Sequence, residues 1–140
     1  MGISKASAQW TGSLKTGSGT MKPAHAEAAN FSLTSRFEGQ PGSNPEELIG
    51  AALAGCFSMA LTVGLEKAGL TPQGVRTEAD VKLDRLAEGF AITGIALTTT
   101  ATVPGVDDAK FQSIAEETKK TCPVSKALGA VPITLKASLG

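Results

Sequence analysis

Cys56 and Cys122 are the only cysteines in the chain, and they stand too far apart to form a CxxC motif. In a reducing compartment such a pair is either two inert thiols or a couple that opens and closes a disulfide. The two would ionise for different reasons. Cys56 sits in the middle of an apolar run at helical spacing, beyond reach of a helix dipole that fades after the terminal turn. Its thiolate needs a nearby cation. Cys122 directly precedes Pro123 at a helix start, where unpaired N–H groups favour an anion. On its own position it is the more acidic thiol of the two. The bland readings are an inert buried thiol for Cys56 and a small capping residue for Cys122. The residues alone leave open which sulfur attacks first.

Arg36 stands among neutral neighbours in Thr34-Ser35-Arg36-Phe37, and Glu46 falls in the first turn of the helix that carries Cys56. Each reads blandly as a solvated surface charge. If they meet Cys56, Arg36 supplies the missing positive field and Glu46 holds the guanidinium with a bidentate bond.

Other chemistries fail on composition. Two cysteines and one histidine cannot build a four-ligand zinc site from soft ligands. That histidine, His25, lies in a polar, alanine-rich stretch with no spacing toward either thiol, so a Cys/His hydrolase is not indicated. The segment Gly12 to Gly19 lacks the Lys-Ser/Thr pair that a phosphate loop needs after Gly17. Thirteen basic residues balance thirteen acidic ones, which leaves no footprint for nucleic acid and makes self-association plausible. The first residues lack the apolar core of a signal peptide, so a cytoplasmic location is expected.

The elements that must position these side chains follow from pattern. Length predicts a single domain over residues 1–140, with enough chain to bury a core unaided. Residues 6–12 and 17–21 read as short strands, and another is expected near Phe31-Ser32-Leu33. Asn44 as N-cap, Pro45 at the first position and Glu47 at the capping-box position start a long helix. Its inward face is read as Leu48, Ala52, Cys56, Met59/Ala60 and Val63. Gly69 and Pro72 stop it. The uncharged run from Leu48 to Leu65 touches the lower limit for a membrane span. Its Ala, Gly, Ser and Thr content and the bracketing Glu46, Glu47 and Glu66 argue against one. A helix apolar nearly all round can be wholly enclosed by protein instead.

Val75 to Leu83 alternates as a half-buried strand, and Phe90–Val103 is expected to pair with it as an antiparallel hairpin. Asp107 caps a second helix with inner face Phe111, Ile114, Ala115 and Thr118. A short third helix runs from Cys122-Pro123 to Gly129, and Val131, Ile133 and Leu135 alternate in a closing strand. Strands grouped before and after helices indicate an α+β fold.

Arg36-Phe37-Glu38-Gly39, Asn44-Pro45-Glu46-Glu47-Leu48-Ile49-Gly50-Ala51-Ala52 and Cys56-Phe57-Ser58-Met59-Ala60-Leu61 together resemble the OsmC/Ohr family of thiol-dependent hydroperoxide reductases, in particular its OsmC branch. Phe90-Ala91-Ile92-Thr93, Val103-Pro104-Gly105 and Cys122-Pro123-Val124-Ser125 extend the likeness over nearly the whole chain. The resemblance implies a peroxidase of organic hydroperoxides in stress defence, needing no cofactor, with hydrogen peroxide a poorer substrate. It implies that Cys56 is peroxidatic, that Cys122 resolves through a Cys56–Cys122 disulfide, and that Arg36 and Glu46 are the family's arginine and acid. Glu47 is the near miss, one residue closer to the cysteine. It further implies an intertwined homodimer, with antiparallel sheets wrapped around long central helices. The reductant would be a dithiol, typically dihydrolipoyl groups on lipoylated proteins. The competing reading is a non-enzymatic module that binds a small hydrophobic ligand at a dimer-interface pocket.

Overall fold

The computed structural model describes residues 2–140. The chain divides into two compact units, one ending at Leu48 and the other running from Ile49 to Gly140.

The first unit holds a three-stranded antiparallel sheet of β1 (Ala6–Thr11), β2 (Ser18–Pro23) and β3 (Ala29–Phe31) in that order. Trp10, Gly19 and Phe31 lie side by side across it. The Trp10 and Phe31 rings meet at 5.4 Å. A Cβ on Gly19 would fall within 2.9 Å of both rings, so only glycine lets them close over the middle strand. The strand expected through Leu33 stops at Phe31. Ser32 instead caps a short helix, α1 (Leu33–Phe37), through a reciprocal box with Ser35. The hydroxyl pair at helical N-cap spacing outcompeted the apolar alternation around it.

Helix α2 (Pro45–Lys67) starts where its caps place it. Asn44 Oδ1 accepts from the Glu47 N–H at 2.8 Å, while the Glu47 carboxylate accepts from Ser43 Oγ at 2.7 Å. Gly69, at φ +80°, ends it. Its buried row differs from the expected one. Leu53, Phe57, Leu61 and Leu65 are fully buried, whereas Ala52, Met59 and Val63 are exposed. With apolar residues on every side, periodicity cannot choose a face, and the largest side chains take the core because burial energy scales with area. This helix is long and apolar enough to cross a membrane by length and composition.

The second unit packs that row against a sheet of β4 (Gly74–Leu86), β5 (Gly89–Thr102) and β6 (Ile133–Leu139), with β5 central. β4 and β5 form the expected antiparallel hairpin. The closing strand departs from an all-antiparallel arrangement, since β6 runs parallel to β5. The two helices between them, α3 (Asp108–Thr121) and α4 (Pro123–Ala127), form the crossover that a parallel neighbour requires. Ile95, Leu97, Ala101 and Val103 face inward with Phe111, Ala115 and Cys122 to complete the core. One polar thread crosses it: Ser58 Oγ donates to Thr77 Oγ1 at 2.8 Å, which meets Thr99 Oγ1 at 3.0 Å. Thr99 is fully buried yet satisfied through this chain and the Arg76 carbonyl.

Candidate functional site

The fold brings the four sequence-predicted residues together as two pairs. In the first unit, α1 presents Arg36 and the first turn of α2 presents Glu46. Arg36 Nε donates to Glu46 Oε1 at 3.1 Å and Oε2 at 3.2 Å, and Nη2 closes a second bond to Oε1. Glu46 is buried and its carboxylate is committed to this fork, while a third of the Arg36 side chain remains exposed. Such a clamp fixes the plane of the guanidinium and leaves an open edge for another anion. Arg36 also borders an apolar hollow of about 250 Å³, lined by Trp10, Leu14, Phe31, Leu33 and Phe37. Sequence reasoning missed α1, the element that holds Arg36. Its signal was Ser32 three residues before Ser35.

In the second unit, α2 and the junction between α3 and α4 bring Cys56 and Cys122 together. Both are free thiols, and their sulfurs stand 2.9 Å apart. Cys122 ends α3, donating its N–H to the Thr118 carbonyl, and at once caps α4, where Pro123 takes the first position. Proline suits that position because its missing N–H would have no helical partner. The two sulfurs differ in access. Cys122 is wholly buried, and Cys56 is partly exposed.

They also differ in how firmly they hold a proton. Burial is the largest influence on Cys56 and raises its pKa; the hydrogen bond it shares with Cys122 raises it further, and the Val124 N–H offsets only part. Burial also acts to raise Cys122, and is the largest single influence there. It is outweighed by the contact with Cys56 and by the nearness of the Ser125 N–H, the Ser125 hydroxyl and the Val124 N–H, so the Cys122 thiol falls below its ordinary range. The two thiols are thus shifted in opposite directions, Cys122 downward and Cys56 upward. Among the described residues no cluster of His, Cys, Asp and Glu could hold a metal ion. His25 is exposed in the turn after β2.

Two sulfurs at this separation can exchange a proton, and only a small approach separates them from disulfide bonding distance once one of them has been oxidised. A partly exposed guanidinium oriented by a buried carboxylate is suited to holding a developing negative charge.

Residues 37–136 match the model of the OsmC-like protein family. That stretch contains Glu46, Cys56 and Cys122 and starts one residue after Arg36. The peroxiredoxin OsmC of Escherichia coli (strain K12) is 47% identical over 137 residues, spanning 96% of this chain and 95% of that protein. The organic hydroperoxide resistance protein of Xanthomonas axonopodis pv. citri is 33% identical over 100 residues, spanning 69% of this chain and 68% of that protein. Among solved structures, the organic hydroperoxide resistance protein OhrB of Bacillus subtilis superposes with a TM-score of 0.75 at 25% identity, covering 95% of this chain and 97% of that one.

Proposed function

Because the chain belongs to the OsmC-like protein family, we propose that it is a thiol-dependent peroxidase that reduces organic hydroperoxides to alcohols in stress defence. The observation that carries this reading is the pair of free sulfurs 2.9 Å apart, one open to solvent and one enclosed.

Cys56 is assigned the first attack, because a peroxide can reach it while Cys122 is sealed. Its thiolate attacks the hydroxyl oxygen of the hydroperoxide. An S–O bond forms, the O–O bond breaks, and the alkoxide takes a proton and leaves as the alcohol. The sulfur is oxidised by two electrons to a sulfenic acid. Cys56 holds its proton too firmly for this role unaided, so Arg36, oriented by Glu46, is assigned the positive charge that ionises it and steadies the departing alkoxide. The apolar hollow beside Arg36 suits an alkyl or aryl tail, which favours organic over hydrogen peroxide. Cys122 thiolate then attacks the sulfenic sulfur. The S–S bond forms, the S–O bond breaks, and hydroxide takes a proton to leave as water. A dithiol, for which a lipoylated protein is the natural candidate, reopens the disulfide by exchange.

The chain is read as one OsmC-like domain acting as a homodimer in the cytoplasm. The exposed, uncharged side of α2 supports self-association. Intact mass spectrometry after one equivalent of cumene hydroperoxide tests the reading: a loss of two hydrogens should map to Cys56–Cys122. In steady state Cys56→Ser should abolish turnover, and Cys122→Ser should permit one oxidation and then stall. Normal turnover of tert-butyl hydroperoxide by Cys56→Ser would overturn the assignment. The hollow lined by Trp10, Phe31 and Phe37 also fits a simple binder of small hydrophobic ligands. Thiols inert to hydroperoxide would favour that second reading.

A further inference from the structure

Ser125 is buried at 6% exposure, and its hydroxyl oxygen has no hydrogen-bond partner among the described residues. An orphaned buried hydroxyl is costly, and so calls for a reason. Ser125 is the third residue of α4, counted from its N-cap Cys122. A serine there can accept from the N-cap N–H, as Ser35 does from Ser32 in α1. That N–H is already spent on the Thr118 carbonyl at 2.9 Å, and the Cys122 carbonyl accepts from the Lys126 N–H at 3.0 Å. The Ser125 hydroxyl bonds to neither of these backbone groups, so the N-cap group left for it to meet is the sulfur. A neutral thiol is a weak acceptor, and a thiolate is a strong one.

We propose that Ser125 is a positioning residue for Cys122, its hydroxyl donating to that sulfur once the sulfur is ionised. The hydroxyl is idle in the dithiol form and engaged when Cys122 becomes the resolving nucleophile. It engages again when the dithiol reductant expels Cys122 as the leaving thiolate. The nearness of the hydroxyl is already felt, since it helps draw the Cys122 thiol down. The titratable group that faces Cys122 is the Cys56 thiol on α2, and no charged side chain contributes to its shift. Ser125 is therefore the side chain through which the chain can tune the resolving sulfur without touching the peroxidatic one.

This inference rests on the peroxidase reading for its role in turnover, but its core can be tested without turnover. In a Cys56→Ser background, Cys122 is the lone thiol, and its ultraviolet thiolate absorbance can be followed against pH. Adding Ser125→Ala should move the midpoint up by about one pH unit, the worth of one hydrogen bond to a charged group. Ser125→Thr, which keeps the hydroxyl, should move it back. A midpoint unmoved by Ser125→Ala, or moved equally by Ser125→Ala and Ser125→Thr, overturns the proposal. In the protein with both cysteines, rapid mixing with cumene hydroperoxide separates sulfenic acid formation from disulfide closure. Ser125→Ala should leave the first step unchanged. It should slow the second about threefold at neutral pH, because the tenfold loss of thiolate is partly repaid by a more basic nucleophile. At strongly alkaline pH, where both forms are fully ionised, the order should reverse. Failure to form any sulfenic acid would instead sink the peroxidase reading and leave the midpoint result standing.

Discussion

At the scale of the residue, the two sulfurs face opposite problems. Cys122 is acidic and enclosed; Cys56 is accessible and holds its proton. A reduced pair in contact titrates as a unit. Its first thiolate should appear below the ordinary thiol range and its second above it, as read by ultraviolet absorbance against pH. The sign follows from the causes. Donors at the start of α4 favour the charged form of Cys122, whereas burial and donation across the pair favour the neutral form of Cys56. Cys122→Ser should delete the lower step. A wild-type protein that releases both protons in one step at the ordinary thiol value would contradict this account. The role proposed for Arg36 is tested at the upper step. Arg36→Ala should raise it and slow Cys56 oxidation about a hundredfold, the usual loss when one preorganised charge donor is removed. Stopped-flow oxidation by tert-butyl hydroperoxide measures it, and an unchanged rate would remove Arg36 from the chemistry.

At the scale of the element, α2 does most of the positioning. Its first turn holds Glu46, its middle holds Cys56, and its row of Leu53, Phe57, Leu61 and Leu65 seats it on the core. Gly64 marks how closely it packs: a Cβ there would stand 3.0 Å from Ile114 Cγ2 and 3.6 Å from Thr118 Oγ1 on α3. Gly64→Ala gains roughly 1 kcal/mol of helix propensity and loses about 1–3 kcal/mol to overpacking. The expected net is a destabilisation of about 1 kcal/mol by urea denaturation; a stabilised variant would show that α3 yields freely. The start and stop of α2 were legible in Asn44, Pro45 and Gly69, because caps are local chemistry. Its buried face was not, because an all-apolar helix carries no periodic contrast. Helix α1 was hidden for a different reason: five residues give pattern too little length, and only the Ser32–Ser35 box betrays it. The β4–β5 hairpin was plain from alternation, whereas the parallel sense of β6 depends on the α3–α4 crossover rather than on any residue in the strand. The meeting of Cys56 and Cys122 was legible only through family likeness, since loop closure over so long a stretch leaves no local trace.

At the scale of the whole molecule, the unanswered side of α2 matters most. Ala52, Gly55, Met59 and Val63 form an exposed row at helical spacing, with Met59 at 74% and Val63 at 47% exposure. None carries a charge, and the helix bears none between Leu48 and Leu65. A contiguous apolar strip of this kind is unfavourable in water and calls for a cover. The homodimer proposed above supplies a second copy as that cover, which would complete the enclosure expected of such a helix. Met59→Glu places a carboxylate at the centre of the row without touching the buried one. In a lone chain it should be nearly neutral, since an exposed position gains a solvated charge. In a dimer it must be desolvated without a partner, at a cost of about 3 kcal/mol or more, which raises the dissociation constant at least roughly a hundredfold. Sedimentation of the wild type should therefore report a dimer, and Met59→Glu should report a monomer at the same concentration with its circular dichroism intact. A variant that sediments like the wild type would show that this face of α2 is not the one the second copy covers.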